Sequence, residues 1–255
     1  MNNILNLFSL EGKTAVVTGA NTGLGQGMCI ALAGAGANVF GVARRNCEET
    51  AKKIDELGGK FTEIIADLSN MNAIEIILNE INSKTDRVDI LVNNAGVIKR
   101  NDAIDVTLED WNSVIDLNEK MVFFLSQAFA KTWIKDGKGG KIINVASMLS
   151  YQGGIRVPAY TSSKSAILGM TRALANEWAK YDINVNAIAP GYMATNNTTQ
   201  LRNDSERSES ILDRIPAGRW GTPEDMYGAC IYLASNASNY MNGFTIAVDG
   251  GWLAR

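Results

Sequence analysis

The sequence predicts a single doubly wound α/β domain, with a parallel sheet of about seven strands and helices on both faces. Three observations carry that reading. Short apolar, β-branched runs alternate with longer amphipathic ones along all 255 residues. The strand-like runs are nearly continuous in hydrophobicity, as befits strands covered on both faces. No linker, repeat or low-complexity block divides the chain.

The elements follow in order. Residues 14–18 (TAVVT) read as the first strand, and a small-residue helix is expected over 24–35. Residues 38–42 (NVFGV) form the second strand, 48–57 a charged helix, and 61–66 (FTEIIA) the third strand. An Ile-rich helix over 73–81 leads to a strand at 88–93. A long amphipathic helix is expected over 118–134, then a strand at 140–146, a helix over 159–180 and a strand at 183–189. A helix starting at Pro223 and a last strand at 244–248 close the domain. Residues 191–219, rich in Asn, Thr and Ser, are expected to form a mobile cover over a site.

Composition excludes several classes of function. The chain contains no histidine, which removes Ser-His-Asp hydrolysis and histidine-ligated metal sites. Proton transfer near neutral pH then falls to Tyr, Lys, Asp, Glu or Ser. Cys29, Cys47 and Cys230 are scattered, without the spacing of a metal site or disulfide framework. A net charge of −3 gives no reason to expect nucleic acid or an anionic membrane as partner. No apolar run reaches the length of a membrane span, and the N-terminus lacks a secretory pattern, so the cytoplasm is the expected location.

Between the first strand and first helix lies Thr18-Gly19-Ala20-Asn21-Thr22-Gly23-Leu24-Gly25. Gly19 suits a tight turn, Gly23 a close backbone approach to a diphosphate, and Gly25 close packing of helix on sheet. The helix start then offers unpaired N–H groups and the positive end of its dipole to phosphates. Placement after a strand and before a helix is the context a dinucleotide loop requires. Asp67, followed by Leu68, ends the third strand where it can accept from an adenine amino group, or else cap a helix. Asn93-Asn94-Ala95-Gly96 ends the fourth strand, at the sheet edge where such folds bind ligands.

Tyr160 and Lys164 are four apart and so share a helix face. A nearby ammonium and a positive nicotinamide ring favour the phenolate, which lets Tyr160 exchange a proton with an alcohol or ketone. Ser147 ends the preceding strand and can hold the substrate oxygen against Tyr160. Asn118 is expected to open the long helix and to anchor a water or backbone group that relays protons to Lys164.

The glycine pattern, Asn93-Asn94-Ala95-Gly96, Asn118, Ser147, Tyr160-x-x-x-Lys164 and Pro190-Gly191 together resemble the short-chain dehydrogenase/reductase family, in its order and spacings across essentially the whole chain. The resemblance implies a Rossmann-like fold, a catalytic tetrad of Asn118, Ser147, Tyr160 and Lys164, and a homotetramer. It also implies NAD or NADP along the sheet edge, touching Asn94 to Gly96, Pro190, Gly191, Met193 and Thr195. A narrower resemblance, to bacterial sugar-acid dehydrogenases of that family, lies in residues 147–158, 189–198, 216–221 and 247–255. It implies interconversion of 2-keto-3-deoxygluconate and its 2,5-diketo form in uronate catabolism. Other reductases on the same scaffold, among them gluconate-type dehydrogenases and oxoacyl carrier-protein reductases, are the alternatives, as is a non-catalytic dinucleotide sensor.

A sugar acid presents a carboxylate that a guanidinium grips bidentately. Arg156, between Ser147 and Tyr160, is the candidate for that grip, ahead of Lys99 and Arg100. At the end of the second strand an acidic residue would bond the ribose 2′-hydroxyl and select NAD. Ala43 stands there, followed by Arg44 and Arg45, which suit a 2′-phosphate, whereas Thr22 lies where NADP enzymes of this family often carry a basic residue. The reading is NAD, with NADP tolerated.

Overall fold

A computed structural model describes residues 3–255. Seven parallel strands form one sheet: β1 (Thr14–Thr18), β2 (Asn38–Ala43), β3 (Lys60–Ile65), β4 (Ile90–Asn93), β5 (Gly140–Val145), β6 (Ile183–Pro190) and β7 (Thr245–Val248). Their order across the sheet is β3-β2-β1-β4-β5-β6-β7. The order reverses between β1 and β4, which opens a crevice at their C-terminal ends. Register pairs Val17 with Gly41 on one side and with Val92 on the other. The central strands are buried from end to end, as their unbroken hydrophobicity requires.

Helices α1 (Gly23–Gly34), α2 (Glu48–Asp55), α3 (Ala73–Asn82), α4 (Leu108–Ile115), α5 (Met121–Lys135) and α6 (Pro158–Trp178) alternate with the strands through β6. Short α7 (Thr199–Asn203) and α8 (Ser205–Leu212) lie in the polar stretch, and α9 (Tyr227–Ala234) precedes β7. Two large cores fill the two faces of the sheet. One joins Val17, Val92 and Ile143 to Met28, Leu32 and Cys230, the other Val16, Leu91 and Ile142 to Ile77, Leu125 and Trp178. Among the described residues no helix is long and apolar enough to cross a membrane.

The strand and helix spans match the expectations within one or two residues at most ends. The long helix is the exception. It begins ten residues before Asn118, because the Thr107 hydroxyl caps it by accepting from the Asp110 N–H at 3.1 Å. It then passes through a π-helical turn, Asp116–Lys120, before continuing as α5. Asn118 therefore sits inside a wide turn of a continuous helix instead of opening one. A π turn carries one extra residue, and such turns recur at functional sites.

Candidate active site

The glycine loop and the Asn-Ala-Gly turn meet at the switch point. The Thr18 hydroxyl accepts from the backbone N–H groups of Asn94 and Ala95, both at 3.0 Å. The Asn94 amide donates to the Thr18 carbonyl at 2.8 Å. Gly19 has φ of +70°, and a Cβ there would stand 2.8 Å from Asn94 Nδ2. At Gly25 a Cβ would lie 2.1 Å from the Gly19 carbonyl oxygen. The loop thus demands glycine at both positions. Thr22 flanks α1 in an extended conformation, and the N–H groups of Gly23, Leu24 and Gly25 lead the helix with no intrahelical acceptor. Asn21 lies partly exposed at the tip of the loop. This cradle fits a dinucleotide diphosphate: open backbone donors, a positive helix end, and no side chain in the way.

The remaining predicted cofactor contacts ring that cradle. Thr195 lies directly across from the loop, its Cγ2 3.5 Å from where a Gly23 Cβ would be. Pro190 ends β6, and the Gly191 N–H donates to the Val248 carbonyl at 3.0 Å. Met193 is buried, and its carbonyl accepts from Thr198 Oγ1 at 2.6 Å. Asp67 is exposed and accepts from the Ser69 N–H and hydroxyl at 3.0 and 2.9 Å. These bonds, Ser69's backbone foremost, lower its pKa, and the charge of Arg44 acts in the same direction. Asp67 caps no helix, since α3 starts at Ala73 after Asn72. Leu68 packs into the core, which leaves its backbone as the part that could meet a ligand. Arg44 and Arg45 are exposed beyond the buried Ala43.

The four tetrad candidates come from three places in the chain: the turn after β5, the π turn and α6. Ser147 follows β5, and its hydroxyl accepts from the Leu149 N–H at 3.1 Å, capping a short turn. Tyr160 and Lys164 lie on the first turns of α6, which Pro158 starts. The Lys164 ammonium stands 5.8 Å from the Tyr160 ring centroid and donates to the Val145 carbonyl at 2.5 Å. Asn118 is fully buried. Its carbonyl oxygen accepts from the Val97 N–H at 2.8 Å, and its amide donates to the Val97 carbonyl at 2.9 Å. The same amide donates to Ser163 Oγ at 3.2 Å, and Ser163 donates to the Tyr160 carbonyl at 2.8 Å. The anchored backbone group is therefore Val97, and Asn118 ties the loop after β4 to the helix carrying Tyr160.

Burial pushes the Tyr160 phenol above its ordinary value near 10, while the Ser147 hydroxyl and the charge of Arg100 pull the other way. Burial also lowers the Lys164 ammonium from 10.5 to about 8. The side chains alone do not depress the phenol as expected, because Lys164 directs its donor at Val145 and desolvation is the larger effect. A positive charge brought against Tyr160 would reverse that balance. The arrangement can hold a substrate oxygen between a hydroxyl and a phenol and exchange one proton with it.

The basic residues fall out differently from their ranking in the sequence. Arg156 adopts φ of +65° and is exposed, with Nε 3.0 Å from Asp102 Oδ1. Lys99 pairs with Asp110 at 3.2 Å. Arg100 is partly exposed and donates to the Asn197 carbonyl at 3.1 Å, and its charge acts on the Tyr160 phenol. Sequence distance to Ser147 and Tyr160 favoured Arg156, and the loop pairing that turns it outward leaves no mark on spacing.

A short aromatic wall was missed as well. Tyr192 makes edge contacts with Trp220 and Trp252, centroids 5.4 and 4.8 Å apart. These rings pack with Met148, Ile211 and Ile215 beside Ser147. Its parts come from residues 148, 192, 211–220 and 252, and only the clustering of Trp and Tyr near the Pro-Gly turn and the C-terminus hinted at it.

Comparison with known proteins places this geometry. A family model described as enoyl-(acyl carrier protein) reductase matches residues 19–253. The chain is 59% identical to 2-dehydro-3-deoxy-D-gluconate 5-dehydrogenase of Dickeya dadantii over 252 residues, 99% of this chain and 100% of that protein. The protein of the same name from Escherichia coli is 60% identical over the same coverage. An Agrobacterium tumefaciens crystal structure, described as a candidate 2-deoxy-D-gluconate 3-dehydrogenase with bound NADP, superposes with TM-score 0.93 at 52% identity, covering 98% of this chain and 100% of that one. A Burkholderia cenocepacia gluconate 5-dehydrogenase in complex with NADP and tartrate gives 0.93 at 33% identity, covering 99% and 100%. The chain belongs to the short-chain dehydrogenase/reductase family of oxidoreductases.

Proposed function

We propose that the protein interconverts a ketone and an alcohol on a sugar acid, namely 2,5-diketo-3-deoxygluconate and 2-keto-3-deoxygluconate, with a nicotinamide dinucleotide. The observation that carries this reading is the convergence of Ser147, Tyr160 and Lys164 beside the glycine cradle at the sheet switch point. The full-length relatives, similar to this chain at 59% and 60%, support the substrate class. NADP in the neighbouring structures supports a dinucleotide in the cradle.

The amides of Gly23 to Gly25 would hold the diphosphate of a nicotinamide dinucleotide, which when bound would supply hydride chemistry at the substrate carbon. Ser147 donates its hydroxyl proton to a lone pair of the substrate oxygen and fixes it in place. Tyr160 gives that oxygen a proton in reduction and takes it back in oxidation. The Lys164 ammonium, 5.8 Å from the Tyr160 ring centroid, would favour the phenolate once the positive charge of a nicotinamide ring is added beside it. Asn118 keeps α6 and the loop after β4 in register, so that Tyr160 meets the substrate at fixed distance. Residues 191–219, with α7 and α8, cover the substrate and exclude water.

For the substrate carboxylate we assign Arg100 rather than Arg156. Arg156 is already matched by Asp102 and faces solvent, whereas Arg100 has a carbonyl as its hydrogen-bond acceptor and acts on Tyr160. The test is a steady-state panel of keto-sugar acids, neutral ketoses and oxoacyl thioesters with NADH and NADPH. Highest kcat/KM on the diketo-deoxygluconate is expected. A preference for the thioester or the neutral ketose would overturn the assignment.

A further inference from the structure

We propose that the cover segment carries a second anion subsite, Arg207 and Arg214 beside Tyr192, which with Arg100 lets the enzyme also take keto-sugar acids bearing two acidic groups. The proposal rests on the sugar-acid reading above and extends it to dicarboxylates.

The geometry starts from Trp252. This ring is 5% exposed and fixed in the small core next to Ser147. Tyr192 packs edge-on against one part of it, at 4.8 Å and 68°. The Arg214 guanidinium lies over the ring, 4.1 Å from its centroid. An arginine held against an indole face by cation–π attraction loses some of its side-chain freedom, and a guanidinium can grip a carboxylate with two parallel bonds. One of its nitrogens donates to Gln152 Oε1 at 3.2 Å, on the segment between Ser147 and Tyr160. The subsite is therefore joined to the catalytic segment.

Arg207 comes from α8, whose Ile211 is part of the same small core. Burial raises the pKa of the Tyr192 phenol, and the positive charges of Arg207, Arg214 and Arg100 act the other way. Arg100 also acts on Tyr160, so the two phenols share one cationic neighbour. Arg100 and the cover are linked as well, through the Asn197 carbonyl.

Arg156 and Arg219 are matched by Asp102 and Asp225. Among the described residues, Arg100, Arg207 and Arg214 take part in no ion pair; Arg214 lies over Trp252, Arg207 is one helical turn before Ile211 of the same small core, and Arg100 is bonded to the cover at Asn197. A single carboxylate offers two oxygens, enough for one bidentate guanidinium. A ligand with a carboxylate at each end can engage Arg100 with one and the Arg207–Arg214 pair with the other.

The experiment measures binding by calorimetry to the enzyme saturated with NADP⁺, so it does not depend on turnover. Tartrate and threonate are the probes; they share a four-carbon dihydroxy backbone and differ by one terminal carboxylate against a hydroxymethyl. Tartrate is expected to bind at least about tenfold more tightly, one charge-assisted contact's worth. In Arg207→Gln and Arg214→Gln that ratio should fall, and in the double variant it should approach unity, with NADP⁺ affinity measured in parallel to show an intact fold. Equal affinities in the wild type, or a ratio that survives in the double variant, would overturn the subsite. Failure of the sugar-acid reading would show separately, as absence of turnover on every keto-sugar acid tested.

Discussion

Replacing Gly25 and Gly228 by alanine makes the same chemical change in two helices and should have opposite effects. A Cβ at Gly25 would stand 2.1 Å from the Gly19 oxygen and 2.5 Å from Asn94 Nδ2, where ordinary contact begins at 3.4 Å. Both neighbours are held: Asn94 by its bond to the Thr18 carbonyl at 2.8 Å, Gly19 by its turn. Relief requires the turn to move by about 1 Å. Overpacking of that kind costs about 1–3 kcal/mol, and loss of the amide bond adds about 1. The helical preference for alanine returns at most about 1 kcal/mol. The net is a loss of roughly 1–3 kcal/mol, or a fall in Tm of about 2–12 °C for a domain of this size. Gly228 is exposed on α9 with nothing within 4 Å of the added carbon, so its replacement should gain about 0.5–1 kcal/mol. Thermal unfolding reads the stability, and fluorescence titration with NADPH reads the cradle. Gly25→Ala should weaken NADPH at least about tenfold because the loop amides are displaced, whereas Gly228→Ala leaves it unchanged. A Gly25→Ala protein as stable as Gly228→Ala, with normal NADPH affinity, would refute the close packing of loop and helix.

Lys164→Met should abolish turnover yet stabilise the protein at pH 7. The folded ammonium titrates at about 8 against 10.5 unfolded, so between those values the unfolded chain holds more protons and stability rises with pH. The cost of the buried lysine is thus full below about pH 8 and fades toward 10.5, and the gain from Lys164→Met, measured by urea unfolding, should fade over the same window. Arg44→Ala should lower kcat/KM for NADPH about tenfold or more while barely changing NADH, as expected for loss of a charge-assisted phosphate contact. Equal losses for both cofactors would remove Arg44 from selection. Arg100→Ala should raise KM for a carboxylated ketone by about ten- to a hundredfold, and Arg156→Ala by less than about threefold, since the latter loses only an exposed ion pair. The reverse ranking would return the carboxylate to Arg156.

The sheet was legible in the sequence because parallel strands buried on both faces leave continuous apolar runs, such as Ile90–Asn93 in β4, between clear turns. The glycine cradle was legible because Gly19 and Gly25 answer steric demands that no other residue meets. The start of the long helix was written there too, in Thr107 and Asp110, but its polar first turns hid the apolar stripe. The π turn around Asn118 left no sign, since one extra residue in a helix is decided by what the side chain reaches, here Val97 and Ser163. Spacing put Arg156 ahead of Arg100, but it carries no sign of Asp102 and Asn197, the distant partners that folding brings to each of them.

Proton exchange between Tyr160 and the substrate oxygen is the centre of the mechanism, and Tyr160→Phe tests it most directly. The substitution removes one oxygen and leaves the ring that packs on α6 beside Lys164. The measurement is kcat for reduction of the diketo-deoxygluconate, paired with NADPH affinity on the same preparation. We predict a loss of turnover of about a hundredfold or more, with NADPH binding kept within about threefold of wild type. Turnover within tenfold of wild type, at unchanged cofactor affinity, would contradict the assignment of Tyr160 as the acid and base.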